Sequence, residues 1–376
     1  MLIICILLIF FLLFALWANS GTWRYIKQIY DLKRMGKLAD TQWKIKVEKV
    51  CKKWVQKTPV LKLNDGGKNI IDMIFRVNQS TTLQSWQKAG LLLGLNGQDR
   101  EELYIGTNGQ WKEKVVEIDF CLLAQTILKQ SNDIMRIKPA MDKVYDLCIN
   151  RLGEDGLINY RTNMPEVHFV DTVGFTVPFL LLYGKKYNKP EAISVGKEQL
   201  KRFIECGLAK NGVPYHAFNR KDGVCLGICG WARGIGWYVF GLLGASIYLD
   251  KEDPDYEFFI CKLKSLADSL IQHRNEEGGF CWNIFSKGKS ETSGTSMIGL
   301  LFCEAYRIFR EKEYLKAAKS CLNAVMRCTI SNGIVYYAQG DSKGMGLYSS
   351  EFEEMPFAQG IALLLYKKLE CATNSI

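Results

Sequence analysis

Residues 230–249 read GWARGIGWYVFGLLGASIYL. From Trp237 to Leu249 there is no charged residue, so a helix here is apolar on nearly every side and has to be buried. The next segment, YEFFICKLKSLADSLIQHR (256–274), has apolar and charged residues at helical spacing, as on a half-buried surface helix. A Gly turn ending in aromatics, EEGGFCWNIF, closes the unit.

The same order recurs on both sides. It starts again at Asp119, Asp171 and Thr292, with Trp231 opening the quoted unit, at spacings of 52, 60 and 61 residues. That period suits a helical hairpin plus a loop. In the unit from Asp171 the second helix sets Ile193, Leu200, Phe203 and Ile204 against Lys197, Glu198 and Lys201. Partial units flank these four: LQSWQKAGLLLGL and WKIKVEKVCKKWVQK upstream, PFAQGIALLLYKKL downstream. Six apolar inner helices inside six outer ones predict an all-α fold, an (α/α)6 toroid of helical hairpins. An open solenoid shares the period, but six units with differing loops favour closure.

The N-terminus is a separate unit. Met1 to Ala18 contains no charge, and the sequence predicts a transmembrane anchor over 1–20. A cleaved signal peptide is the rival, disfavoured because no Lys or Arg precedes Arg24. Between Arg24 and Lys57 there are eleven Lys/Arg against three Asp/Glu, a local +8 of the chain's +10. This basic excess predicts a juxtamembrane linker over 21–40, membrane association through the first helix, and a main domain (41–376) on the cytoplasmic side rather than secreted or periplasmic. The other 319 residues from position 58 onward are nearly balanced, which argues against nucleic acid as a partner. Thirteen cysteines, mostly inside apolar helical stretches, read as small buried hydrophobes of a reducing compartment. Cys225 and Cys229 form a CxxxC without a second pair, so no metal site is expected. There is no GxxxxGK[ST] loop for nucleotide phosphates and no Ser-His-Asp arrangement.

In a closed ring the inner-helix N-termini share one mouth. Trp86, Asp119, Asp171, Trp231, Arg233, Trp237, Glu291 and Thr292 would converge there, joined by His216 from an aromatic turn. Asp at a helix start is also a common N-cap, and either indole could be simple packing. Aromatic faces with an Arg that can grip a carboxylate by two hydrogen bonds suit an acidic sugar ring. Gly230, Gly234 and Gly236 would give room to backbone or indoles.

The motifs HFVDTVGFTVPFLLLYGKKY, PYHAFN, GWARGIGWYVFGL and ETSGTSMIGLLF, in this order, resemble the unsaturated glycuronyl hydrolases of glycoside hydrolase families 88 and 105, particularly the unsaturated rhamnogalacturonyl hydrolases. The likeness covers about residues 40–370. It implies an (α/α)6 barrel and hydration of the C4=C5 bond of a 4,5-unsaturated uronic acid at the non-reducing end of a lyase product, without cofactor or metal. It implies Asp171 as general acid and base, Asp119 as second carboxylate, and His216, Trp231, Arg233 and Trp237 as substrate contacts. This sequence departs from the family at Ile235, where Asn is usual, at DTVGF after the acid, and at Asn219, where Asp is common. Those departures keep three rivals in play: a glycan-binding or capsule-assembly toroid without catalysis, a sugar epimerase, and an ordinary glycosidase with two carboxylates across the scissile bond.

Overall fold

The structure, a computed structural model, describes residues 2–18, 26, 29–57, 59, 61–62, 79–80, 84–96, 98–342 and 344–374. The apolar helices of the repeats form as expected: α3 (Ser85–Leu95), α4 (Phe120–Gln130), α6 (Val170–Tyr187), α8 (Ala232–Tyr248), α10 (Thr292–Phe309) and α12 (Pro356–Asn374). Each packs on the next, and α12 packs on α3, so the ring closes. All side chains from Val170 to Gly184 in α6 are buried. The seam between last and first helices is close because a Cβ at Gly360 would collide with the carbonyl oxygen of Gly90.

Outer helices bury one stripe each. In α2 (Asp40–Gln56) the stripe is Trp43, Val47, Cys51 and Trp54, laid between α12 and α3. The others are α5 (Lys138–Asn150), α7 (Pro190–Cys206), α9 (Tyr256–Ile271) and α11 (Lys312–Arg327). Five outer α-helices are therefore present among the described residues, where six were expected. Between α3 and α4 the connection carries a 3₁₀ turn, Gln98–Leu103, in a polar segment with no apolar stripe to hold a helix on the ring.

The all-α expectation also missed a small antiparallel sheet: β3 (Val167–Phe169), β4 (Tyr215–Asn219) and β5 (Cys225–Cys229). The last two strands are joined by a turn with Gly223 at φ +73°, and Asn219 Oδ1 accepts the Lys221 N–H at 2.9 Å. Asn219 is thus a turn former. Two further ladders, β1 with β2 (Leu61–Lys62, Gln79–Ser80) and β6 with β7 (Ala338–Gln339, Phe352–Glu353), are two residues long.

The membrane anchor is not supported. α1 (Leu2–Ala18) does form, but among the described residues no helix is long and apolar enough to cross a membrane. Its 17 residues rise about 26 Å at 1.5 Å each, short of a hydrocarbon layer of roughly 30 Å. The argument for a cytoplasmic main domain presupposes a spanning helix, so it lapses too. Of the basic segment 21–40, residues 21–25, 27 and 28 lie outside the described residues.

Candidate functional site

Helix entry points converge at one mouth of the ring around a cavity of about 390 Å³. Its lining contains seven of the nine expected residues: Trp86, Asp119, Asp171, His216, Trp231, Arg233 and Trp237. Neither aspartate caps its helix through its side chain. Asp119 holds the N-cap position of α4 without a side-chain cap bond, and Asp171 lies inside the first turn of α6, whose N-cap is Phe169.

Strand β3 runs straight into α6, and β4 pairs with β3, which places His216 beside Asp171. A bulge sets the histidine's direction. Opposite His216, β5 carries two residues, Gly227 and Ile228; Gly227 has φ +75°, and a Cβ there would come within 2.8 Å of the His216 Cβ. The bulge frees the Ile228 N–H, which donates to the Tyr348 hydroxyl at 3.2 Å. That hydroxyl lies 2.8 Å from His216 Nδ1. Where the hydroxyl donates to Nδ1, the other ring nitrogen, Nε2, carries the imidazole proton. Nε2 stands 3.4 Å from Asp171 Oδ2. Asp171 is 9% exposed, and Oδ2 has no hydrogen-bond partner among the described residues. A buried carboxylate oxygen left bare at a cavity wall is costly in a purely structural residue.

Asp119 is different. Its carboxyl is pushed up to about 6, first by burial and then by Glu117, while the Trp86 backbone N–H bonded to it acts in the opposite direction. Asp119 therefore holds its proton closer to neutral pH than an ordinary carboxyl does.

The profile of Glycosyl Hydrolase Family 88 matches residues 103–372. The chain belongs to this family. It is a glycoside hydrolase, and the ring is the family's (α/α)6-like fold. Solved structures of similar fold include a possible member of family 105 from Klebsiella pneumoniae, 16% identical, TM-score 0.71, covering 90% of this chain and 95% of that one. A family 105 glycoside hydrolase from C. acetobutylicum is 18% identical, TM-score 0.63, covering 80% and 97%. The unsaturated glucuronyl hydrolase of Bacillus sp. GL1, described as responsible for glycosaminoglycan degradation, is 16% identical, TM-score 0.62, covering 88% and 95%.

Within this family 88 chain, the remaining expected residues build the wall of the cavity. Arg233 is 2% exposed, and its Nη1 and Nη2 donate to the carbonyl oxygens of Gln339 and Gly340 at 2.5 and 2.8 Å. It lies 5.2 Å from the Trp231 ring, whose Nε1 donates to Gln339 Oε1 at 2.9 Å. Arg233 thus grips backbone, where the sequence suggested a two-pronged grip on a ligand carboxylate. Glu291 and Thr292 do not line the cavity. The Glu291 carboxylate caps α10, accepting from the N–H groups of Ser293 and Gly294 at 3.0 and 2.7 Å, and also accepts the Gln339 N–H at 3.0 Å. The Thr292 hydroxyl donates to the Tyr336 carbonyl at 2.9 Å. Trp86 and Trp237 meet edge to face at 5.9 Å, and Phe357 packs on both. The glycines serve packing: a Cβ on Gly234 would come within 2.6 Å of the Trp231 ring, and one on Gly236 would strike Met297.

Sequence reasoning missed Tyr160, Arg161 and Asp341, which line the cavity, and Tyr348, which holds His216. Burial, together with the nearby carboxylates of Asp171 and Asp119, raises the Tyr160 phenol and keeps it a neutral donor. The triplet NYR ending the first full unit marked an aromatic turn, the one signal pointing at Tyr160; Asp341 and Tyr348 lie in a segment with no helical period. Ile235 is fully buried and absent from the lining, so that departure from the family pattern falls in the core. The other histidine of the sheet, His168, is buried between Phe203 and Phe218, with burial pushing it down to about 3. It is a neutral core residue at physiological pH.

Proposed function

We propose that this family 88 hydrolase removes a 4,5-unsaturated uronic acid from the non-reducing end of lyase-generated oligosaccharides by hydrating its C4=C5 bond, with Asp171 as the proton donor and acceptor. The bare, buried Oδ2 of Asp171 beside His216 Nε2 carries this reading. The Asp171 carboxyl gives its proton to C4, and positive charge develops at C5 and the ring oxygen. Water attacks C5 and its proton returns to the Asp171 carboxylate. The hemiketal so formed opens, and the bond at C1 breaks to release the next sugar. One water is consumed and the enzyme is regenerated. General acid–base transfer of this kind contributes about 10²–10⁴-fold.

His216, held by Tyr348 through Nδ1, turns Nε2 toward Asp171 and orients the carboxylate or the attacking water. Asp119 in its protonated form donates to the sugar without adding a second negative charge beside the uronate. Trp86, Trp231 and Trp237 offer faces to the ring. The Arg233 charge, delivered through the wall it holds, and the exposed Arg161 draw the uronate carboxylate. Glu291 and Thr292 support that wall from behind. Cysteines without disulfides among the described residues suit a reducing compartment.

The test is loss of the ultraviolet absorbance of the conjugated enol ether when purified protein meets a panel of unsaturated disaccharides from different lyases. Consumption of at least one supports the reading and names the sugar. If every member of the panel survives, the proposal is wrong.

A further inference from the structure

At the other mouth of the ring, where the inner helices end, a second cavity of about 270 Å³ is lined by side chains from all six inner helices. Its walls are apolar, with Leu93, Leu122, Phe240, Leu243 and Leu300 prominent among them. At about 30 Å³ per water-sized volume it has room for about nine such units. Nothing in the proposed hydration uses it.

The charge around it is one-sided. Lys129, Lys368 and Arg310 line the cavity and have exposed side chains. No ion pair joins any of the three to a carboxylate among the described residues. The acidic residue in the lining, Glu304, is already committed. Its Oε1 and Oε2 accept from Arg307 at 2.7 and 2.8 Å, and Oε1 also accepts from Ser246 at 2.7 Å. Helix C-termini carry partial negative charge and favour cations nearby, which accounts for basic residues at this end. It does not account for a hollow beneath them.

We infer that this cavity is a binding site for a small amphiphile with an anionic head and an apolar body, the body entering between the inner helices and the head meeting Lys129 and Lys368. A free fatty acid and a short acyl phosphate share this chemistry, and the site is independent of the hydration chemistry at the opposite mouth.

The experiment uses the full chain and decanoate as probe, with decanol and decylamine as controls, reading affinity by calorimetric titration. Decanoate is expected to bind saturably and at least tenfold tighter than either control. The double variant Lys129→Ala/Lys368→Ala, altered only at exposed positions, should lose at least tenfold in decanoate affinity. Leu300→Trp, which fills the hollow, should abolish binding, and both variants should hydrolyse the unsaturated disaccharide at the wild-type rate. Equal or tighter binding of decylamine would mean that the helix ends govern the site and would overturn the proposal. So would undiminished decanoate affinity in the double variant, or no saturable binding by wild type. Decyl phosphate run beside decanoate distinguishes the two head groups by which binds tighter.

Discussion

The two mouths of the ring are built from the same six helices and have opposite chemistry. At the N-terminal mouth, carboxylates gather: Asp119 and Asp171 face the cavity, and Glu291 behind it takes the first free N–H groups of α10. At the C-terminal mouth, Lys129, Arg307, Arg310 and Lys368 surround an apolar hollow. Aligned peptide dipoles explain the sorting, since helix starts stabilise anions and helix ends cations. Among the described residues, the three-stranded sheet is laid against the first mouth. That sheet supplies His216 and, through its bulge, the N–H that bonds the Tyr348 hydroxyl, which sets this mouth apart from the other.

The sharpest way to break this contrast is at Asp171. Asp171→Asn should lower hydrolysis of an unsaturated disaccharide by about 10³-fold or more with an unchanged thermal midpoint; substantial residual turnover would move the chemistry elsewhere in the cavity. Asp119→Asn is expected to lower kcat/KM by about 10²-fold and to remove the decline in rate as pH rises through about 6. The sign of its effect on stability is opposite. The folded pKa of Asp119, about 6 against an ordinary 3.8, is raised, so the stability linked to its proton is present below pH 3.8 and lost as pH rises toward 6. At pH 7 the Asn variant should therefore be more stable, by up to about 3 kcal/mol, measured by urea unfolding.

Tyr348→Phe removes the hydroxyl bonded to His216 Nδ1 and should lower kcat about tenfold with little change in KM, the cost of one lost hydrogen bond of about 1.4 kcal/mol. A wild-type rate would show that this bond does not matter to turnover. At the opposite mouth, Glu304→Gln weakens its bonds with Arg307 and Ser246 and should cost about 1 kcal/mol of stability, with the rate on the disaccharide unaltered. A fall in that rate would show that the two ends are coupled.

Six repeats were legible because an inner helix surrounded by protein has to be apolar all round, and its outer partner apolar on one stripe. Helix starts near Asp119, Asp171, Trp231 and Thr292 were read to within one residue for the same reason. The sheet was hidden because β4 and β5 are five residues each, β4 in the aromatic turn of His216 and β5 in the CxxxC segment. The first helix read as a span from its composition, yet its length falls short. Asp341 and Tyr348 had no periodic signal, because a loop held by Arg233, Trp231 and Glu291 takes its shape from them.

Sequence by itself determined the repeat, the closure of six apolar helices and the residue types at their starts, since burial imposes its pattern locally and along every turn. Tertiary structure alone decided what each of those residues does: Arg233 in the lining and Glu291 behind it bond the wall, whereas Asp171 keeps an unbonded oxygen next to His216. The reason is that a polar side chain's role depends on which partners come within about 3 Å of it, and such partners can be distant in the chain, as Gln339 is from Arg233 and Tyr348 from His216.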